Sequence, residues 1–303
     1  MIKKTVLFPF SAVLALAAFF LWRADFAKAD ETSVRVDAVP VSPDPSLKKV
    51  LFFSKCSGYQ DTMICQSNGE PSVAQIVLWD LGKRNHIQFT FTADGSVFTP
   101  ENIAKYDAFC FFTSGDLTEL GGDRNPPMTR EGKAALLAAI QDGKGFVGIH
   151  SATDTFLSGP EGVDPYIQML GGELLVRVRG LEPAHQIVAD TNFPGMDSMP
   201  PNYGPPEEWY ALRNYATNLH VLLIMDTATM VRGSYYAPNY PSTWARQYGK
   251  GRVFYTNLGH EKDVWNGPVF QHILAGAFNW ADGSIEADVS PNIERMTPHL
   301  RMQ

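Results

Sequence analysis

Short apolar runs with the character of buried strands alternate with helix-like segments along most of this chain. The helix-like segments, such as residues 72–81 and 129–143, carry apolar side chains at a spacing of three and four. Strands that alternate with helices pair in parallel and are covered on both faces, so this order predicts an α/β fold with an open, mostly parallel sheet. The strand-like runs are residues 49–53, 87–91, 107–112, 145–149, 221–225 and 252–256, and a closing helix is predicted over 268–281.

Polar side chains directly follow several of the predicted strands. In an open α/β sheet, ligands bind at the carboxyl ends of the strands. A purely structural fold needs no such groups there, so we expect a functional site where these strand ends meet. The residues concerned include Tyr59, Gln60, Asp61, Ser114, Asp116, His150, Asp154, His260 and Glu261.

The same strand-end segments carry family-like motifs. The most specific are Gly-Ile-His-Ser-Ala-Thr-Asp at 148–154 and Gly-Lys-Gly-Arg-Val-Phe-Tyr at 249–255, and shorter matches lie at 53–59, 113–116, 185–187 and 207–210. Over residues 48–282 the chain resembles the ThuA family, the trehalose-utilisation-like proteins. The resemblance implies a flavodoxin-like, class I glutamine amidotransferase-like fold. Two positions depart from the family pattern: Gln60 stands where a histidine often follows the Gly-aromatic pair, and Gln186 replaces the proline of His-Pro-Ile.

The first 29 residues have the organisation of an export signal. Lys3 and Lys4 precede an apolar run over 5–22, and Ala-Lys-Ala at 27–29 is typical of a cleavage site. An uncleaved membrane anchor is the alternative, since the run is near the minimum length for a span. The predicted organisation is a signal peptide (1–29), a linker (30–47), a ThuA-like domain (48–283) and a C-terminal tail (284–303), with export to the periplasm or the cell exterior.

The charge balance limits the class of partner. The chain has 25 basic and 32 acidic residues, and removal of residues 1–29 leaves 21 and 31. Nucleic-acid binders ordinarily show a basic excess, so we expect a neutral or cationic small molecule and no nucleic acid as partner. The family resemblance implies that this small molecule is a sugar. No stable membrane insertion is expected once the signal is cleaved, and the sequence leaves the oligomeric state open. In an oxidising compartment Cys56 and Cys65 could pair, although three free thiols fit the sequence equally well.

Two histidines and two carboxyl groups are the predicted catalytic residues. His150 and His260 follow strands, where an imidazole can act as a base or a metal ligand near neutral pH. Glu208 and Asp116 are the predicted acids. Each of these residues also has a structural alternative, such as a helix cap or a salt bridge. The predicted substrate-binding residues are Tyr59, Gln60, Asp154, His185 and Trp244.

A divalent metal ion is an open expectation. The chain has no zinc-type Cys/His spacing. Nevertheless, His150, His185, His260 and a carboxylate could converge on one ion in the folded chain. The sequence does not assign the metal.

The family resemblance implies sugar substrates, in particular glycosides oxidised to a ketone at C3. The ketone makes the neighbouring C–H acidic, so a histidine could take that proton, a carboxylic acid could protonate the leaving group, and a metal would polarise the ketone. We therefore expect a carbohydrate-processing enzyme that works by elimination and hydration. A non-catalytic sugar-binding protein is the alternative. Glutaminase chemistry is not expected, because His150-Ser151 follows the strand 145–149 in place of a nucleophile elbow.

Overall fold

A central sheet of eight strands organises the computed structural model, which describes residues 44–67, 69–177, 180–231 and 239–300. The strands in this part of the chain are β1 (Lys48–Phe53), β2 (Ile87–Thr92), β3 (Ala108–Phe111), β4 (Gly145–Ile149), β5 (Glu173–Arg177), β6 (Glu182–Pro183), β7 (Gln186–Val188), β8 (Pro206–Glu207), β9 (Tyr210–Arg213), β10 (His220–Met225), β11 (Tyr240–Tyr248) and β12 (Gly251–Thr256). The central order is β2-β1-β3-β4-β12-β11-β10-β7, and β5 with β9 and β6 with β8 form two small antiparallel pairs.

The five strands from β2 to β12 in this order pair in parallel, and β11, β10 and β7 extend the sheet in antiparallel fashion. The inner strands β3 and β4 are buried along their whole length, as expected for parallel strands covered on both faces. The edge strand β2 alternates buried and half-buried residues. The predicted α/β fold with a mostly parallel sheet is confirmed.

Helices pack around the sheet, and several of them begin at a residue whose side chain caps the first turn. The Ser72 side chain accepts a hydrogen bond from the N–H of Gln75, and Thr129 caps the third helix in the same way. Each cap satisfies an N–H that has no partner within the helix. In the closing helix, the Phe278 ring packs 5.0 Å from the ring of Phe89. The helices are α1 (Val73–Asn85), α2 (Pro100–Ile103), α3 (Arg130–Gln141), α4 (Pro165–Leu170), α5 (Lys262–Asn266), α6 (Pro268–Ala281) and α7 (Ile293–Met296).

The C-terminal segment after α6 is bound to the sheet. The Asn292 side chain accepts from the N–H of Val221 at 2.6 Å and donates to its carbonyl oxygen at 3.1 Å. The predicted tail therefore packs on the domain over its described part, 284–300. The predicted signal peptide, and the predicted linker up to residue 43, lie outside the described residues. None of the helices in the described ranges combines the length and the apolar character that crossing a bilayer requires.

A buried ion pair joins the loop after β1 to the loop after β3. Lys55 is fully buried, and its ammonium donates to Asp123 Oδ1 at 3.0 Å and to the carbonyl oxygens of Leu120 and Asn125. The other oxygen of Asp123 accepts from the N–H of Cys56 at 2.8 Å. These contacts fix both loops at the carboxyl end of the sheet.

The three cysteines are free thiols, so the disulfide that the sequence allowed does not form.

Candidate functional site

His150 directly follows β4 and lies at the bottom of the candidate site, with 1% of its surface exposed. Its backbone φ is 45°, which is uncommon for a non-glycine residue and turns the chain sharply after the strand. Nδ1 lies 3.0 Å from the carbonyl oxygen of Asn257, so Nδ1 carries the proton of the neutral ring. Nε2 is then an acceptor, and the Tyr210 hydroxyl lies 2.9 Å from it. Burial raises the pKa of Tyr210 well above its ordinary value, so this hydroxyl stays a donor.

His260 follows β12 and forms an ion pair with Asp61 from the loop after β1. Asp61 Oδ2 lies 2.6 Å from Nδ1 of His260, and the ring centres of His260 and His150 are 5.1 Å apart. Burial alone would lower the pKa of His260, but the hydrogen bond and charge of Asp61, with smaller contributions from Glu208 and Glu207, raise it to about 9. In this arrangement His260 is a cation at neutral pH.

Glu207, at the end of β8, is fully buried and holds the loop that carries His260. Its Oε1 accepts from the N–H of Gly259 at 2.8 Å, and its Oε2 accepts from the N–H of His260 at 3.1 Å. Burial raises the pKa of Glu207 to about 7, although His150, when its ring is protonated, and the hydrogen bond from Gly259 act in the opposite direction. Because both carboxylate oxygens bind backbone donors, Glu207 is a positioning residue.

The accessible wall of the site contains two carboxyl groups, Glu208 and Asp154, whose side chains are 12% and 16% exposed. Glu208 Oε2 lies 3.7 Å from His150 Nε2, and Arg177 lies 3.8 Å from Asp154 and 5.6 Å from the ring centre of Tyr59. Burial raises the pKa of Asp154 despite the opposing charge of Arg177. Burial would also raise the pKa of Glu208, but the nearby His150, in its protonated form, lowers it. Opposite shifts in neighbouring carboxyl groups are typical of acid–base pairs.

Three side chains of this site could hold a metal ion. Within the described ranges, one potential ligand atom from each of Asp61, His150 and His260 lies within 4.8 Å of the other two. We refer to these three residues as the His–Asp cluster. His185, which the sequence analysis included in this group, lies elsewhere, with its Nε2 3.1 Å from the carbonyl oxygen of Pro201.

Three other predicted site residues do not join the cluster. The Asp116 carboxylate accepts from the N–H and hydroxyl of Thr118 in its own loop, at 2.9 and 2.7 Å. Gln60 is exposed and lines a different cleft. Trp244 is fully buried, and its ring N–H donates to the carbonyl oxygen of Leu170 at 2.9 Å. A ring with no exposed face cannot stack on a sugar, so the assignment of Trp244 to substrate binding is corrected.

The structure brings five predicted site residues together: Tyr59, His150, Asp154, Glu208 and His260. Asp61 was expected among the strand-end residues, although without an assigned role. Three residues of the same site were not predicted: Arg177, Glu207 and Tyr210. A signal existed for Glu207 and Tyr210, which share a motif with Glu208. Arg177 belongs to a small separate strand pair, and no motif marks it.

Ser151 offers no activated nucleophile at the turn after β4. Its Oγ is buried and has no hydrogen-bond partner among the described residues. Both ring nitrogens of the adjacent His150 contact other groups. A serine nucleophile needs a base within hydrogen-bond reach, so this turn does not support acyl transfer.

Three solved structures show the same fold. A ThuA-like protein from Bacteroides uniformis has a TM-score of 0.60 at 16% identity, over 80% of this chain and 94% of that one. A ThuA-like protein from Parabacteroides merdae has a TM-score of 0.58 at 16% identity, over 80% and 92%. A cytoplasmic protein from Salmonella typhimurium has a TM-score of 0.52 at 9% identity, over 78% and 99%. At these identities the likeness shows the fold alone.

Sequence comparison identifies the family. A search of curated proteins found no match. The sequence pattern of the ThuA family, described as trehalose utilisation, matches residues 49–281, which include every strand of the central sheet after the first residue of β1. The sequence resemblance and the structural likeness therefore agree, and the chain belongs to the ThuA family with its class I glutamine amidotransferase-like fold.

Proposed function

We propose that this protein is an exported carbohydrate-processing enzyme that acts on 3-keto-glycosides by elimination followed by hydration. One observation carries the proposal: two partly exposed carboxyl side chains, Glu208 and Asp154, lie near His150, and the charge of Glu208 also acts on the cation at His260. The reaction needs a base, an acid and a cationic group for the developing oxyanion. Export rests on the signal-like sequence of residues 1–29.

Glu208 is the base in this proposal. Its carboxylate is partly exposed, whereas His150 is buried with both ring nitrogens engaged, and Nδ1 of His260 is bound to Asp61. The base therefore moves from the histidines, where the sequence placed it, to a carboxylate. In the first step Glu208 takes the proton from C2 of the sugar, and the C–H electron pair forms an enolate with the C3 ketone.

The positive charge of His260 stabilises the enolate oxygen, and Asp154 is the acid. As the enolate returns to a ketone, the C1–O bond breaks and the departing oxygen takes the proton of Asp154. Water then adds to C1 of the resulting enone, C2 regains its proton from Glu208, and the proton that water loses returns to Asp154. The sum is hydrolysis of the glycosidic bond with no net oxidation or reduction.

Tyr59 provides a binding face for the sugar. Its side chain is 52% exposed next to Arg177 at the edge of the site. An exposed aromatic ring beside polar groups suits the apolar face and the hydroxyl rim of a sugar. The same exposed ring, together with the burial of His150, favours a second candidate, a non-catalytic sugar-binding protein.

A combined exchange and turnover assay tests the proposal. The purified full-length chain should release the leaving group from an aryl 3-keto-glucoside and exchange the C2 hydrogen with deuterated water. It should leave the corresponding glucoside with a C3 hydroxyl unchanged. Glu208→Gln should lose both activities, whereas Asp116→Asn, which alters a carboxylate outside the cluster, should retain them.

The outcomes separate the two candidates. Binding of the keto-glucoside without exchange or turnover would replace the enzyme proposal with the sugar-binding candidate. Equal turnover of the keto and hydroxyl substrates would refute the elimination route, because only the ketone acidifies the C2 proton.

A further inference from the structure

We propose that Asp61, His150 and His260 bind one divalent transition-metal ion of the Zn²⁺, Mn²⁺ or Fe²⁺ class. Each residue contributes one ligand atom, and these atoms lie within 4.8 Å of one another. The proposal concerns metal binding and does not depend on the sugar reaction.

The ligand types favour transition metals over Mg²⁺ and Ca²⁺. Two imidazoles and one carboxylate form a set that suits Zn²⁺, Mn²⁺ and Fe²⁺, whereas Mg²⁺ and Ca²⁺ prefer oxygen ligands alone. Three protein ligands also leave at least one coordination position for an exogenous oxygen, as in catalytic rather than structural zinc sites.

The surroundings of the His–Asp cluster already orient two of the three ligands, His150 and Asp61. The Nδ1–H of His150 donates to the carbonyl oxygen of Asn257, which directs Nε2 into the site. Asp61 Oδ1 accepts from the N–H of Met63 at 2.7 Å, which leaves Oδ2 for the cluster. Outer contacts of this kind, a ring N–H bound to a carbonyl and a carboxylate bound at its second oxygen, are the usual supports of metal ligands.

Burial and charge also favour a dication at this position. Asp61 and His150 are 2% and 1% exposed, and a buried carboxylate needs a compensating positive charge. Two more carboxyl groups, Glu207 and Glu208, lie against the same histidines. A metal ion bound to Asp61 and to the neutral rings of the two histidines would supply that positive charge, and His260 would release its proton on binding.

Tyr210 can accommodate the change at His150. Its hydroxyl lies 2.9 Å from His150 Nε2 and 3.5 Å from Glu208 Oε2, so it has a second acceptor when an ion occupies Nε2. If the proposed function holds, the ion would replace the protonated His260 as the positive charge that polarises the ketone, because His260 would ligate as a neutral ring. The residues assigned to proton transfer, Glu208 and Asp154, lie outside the ligand set and keep their roles.

Direct titration without any sugar tests the site. The full-length chain, freed of metal with a chelator, is titrated calorimetrically with ZnCl₂ and MnCl₂, and CoCl₂ is followed by its visible absorption. We expect one ion per chain. Asp61→Asn and His260→Gln should each weaken binding by at least about a hundredfold, since loss of even an outer support typically costs ten- to a hundredfold. His185→Ala, a histidine outside the cluster, should bind as tightly as the parent.

Three results would overturn the proposal: no saturable binding, binding that survives both cluster substitutions, or equal loss in His185→Ala. A preference for MgCl₂ over ZnCl₂ would contradict the ligand argument as well. Circular dichroism and the unfolding midpoint of the metal-free variants show whether each is folded. His260 is the more exposed ligand, with 17% of its side chain accessible, so His260→Gln decides the matter if Asp61→Asn does not fold. Because no substrate is present, a negative result here leaves the keto-glycoside proposal to its own assay.

Discussion

Replacement of Lys55 by methionine should destabilise the domain by about 3–5 kcal/mol, because it leaves the carboxylate of Asp123 buried without its partner. The Lys55 side chain is 0% exposed and that of Asp123 is 2% exposed, so water cannot take the place of the ammonium. Methionine roughly keeps the volume of the stem but removes all three hydrogen bonds. Two of these bonds go to the carbonyl oxygens of Leu120 and Asn125, each worth about 1–3 kcal/mol when left buried without a partner. The loss should therefore reach the upper part of the range.

Chemical denaturation of the parent and the variant measures this difference, and the thermal midpoint should fall by on the order of 10 °C. Arg84→Met is the matched control. Its ion pair with Asp80 has side chains 54% and 65% exposed, and pairs of this kind contribute at most about 1 kcal/mol. Adding Asp123→Asn to Lys55→Met should recover part of the lost stability, because it removes the uncompensated charge. If Lys55→Met costs no more than Arg84→Met, the reasoning from burial is refuted.

Three further predictions concern the site and its supports. Glu207→Gln should lower the free energy of unfolding by roughly 1.5–3 kcal/mol, because an amide can accept from only one of the two N–H groups, and denaturation measures the loss. Tyr210→Phe should reduce turnover of a keto-glycoside by about tenfold with an unchanged fold, since it removes the hydrogen bond to His150, and steady-state kinetics check this. For Asp123, burial would raise the pKa, but hydrogen bonds, led by the N–H of Cys56, lower it below the unfolded value. Its stabilisation is therefore present at neutral pH and lost on acidification, so the stability gap between the parent and Asp123→Asn should narrow as the pH falls through the lowered pKa.

Six of the eight strands of the main sheet could be predicted because they are marked locally, whereas β7 and β11 were not predicted. The runs at β1, β3 and β4 are apolar and buried on both faces, so composition alone distinguishes them from the helices. The small strands β5, β6, β8 and β9 were not predicted. They are two to five residues long, and β5 leaves most of its side chains partly exposed. Such strands are defined by their pairing partners, which lie far away in the sequence.

The site could be predicted only in part, for a related reason. The strand-end rule placed His150 and His260 correctly at the carboxyl end of the sheet, because His150 directly follows β4 and His260 lies in the loop after β12. It could not tell which neighbouring side chain points inward. Asp61 reaches His260 across the sheet, whereas Asp116, equally close to a strand end, binds its own loop. Trp244 shows the same limit. The sequence of a strand does not reveal whether an aromatic ring on it is exposed or buried, and the structure buries this ring fully.

Glu207 and Glu208 show how this fold divides support from chemistry between adjacent residues. Successive side chains at the end of a strand point to opposite sides, so one carboxylate turns inward and the other faces the accessible wall. The inward carboxylate of Glu207 is bound by two backbone N–H groups and is not free to exchange protons with a ligand. Among the described residues, the contacts of the Glu208 carboxylate are long, 3.5 Å to Tyr210 and 3.7 Å to His150, and the side chain keeps an exposed edge. The loosely bound carboxylate of Glu208 can move toward a substrate because Glu207 already fixes the loop of His260. The two neighbouring glutamates should therefore respond differently to replacement by glutamine.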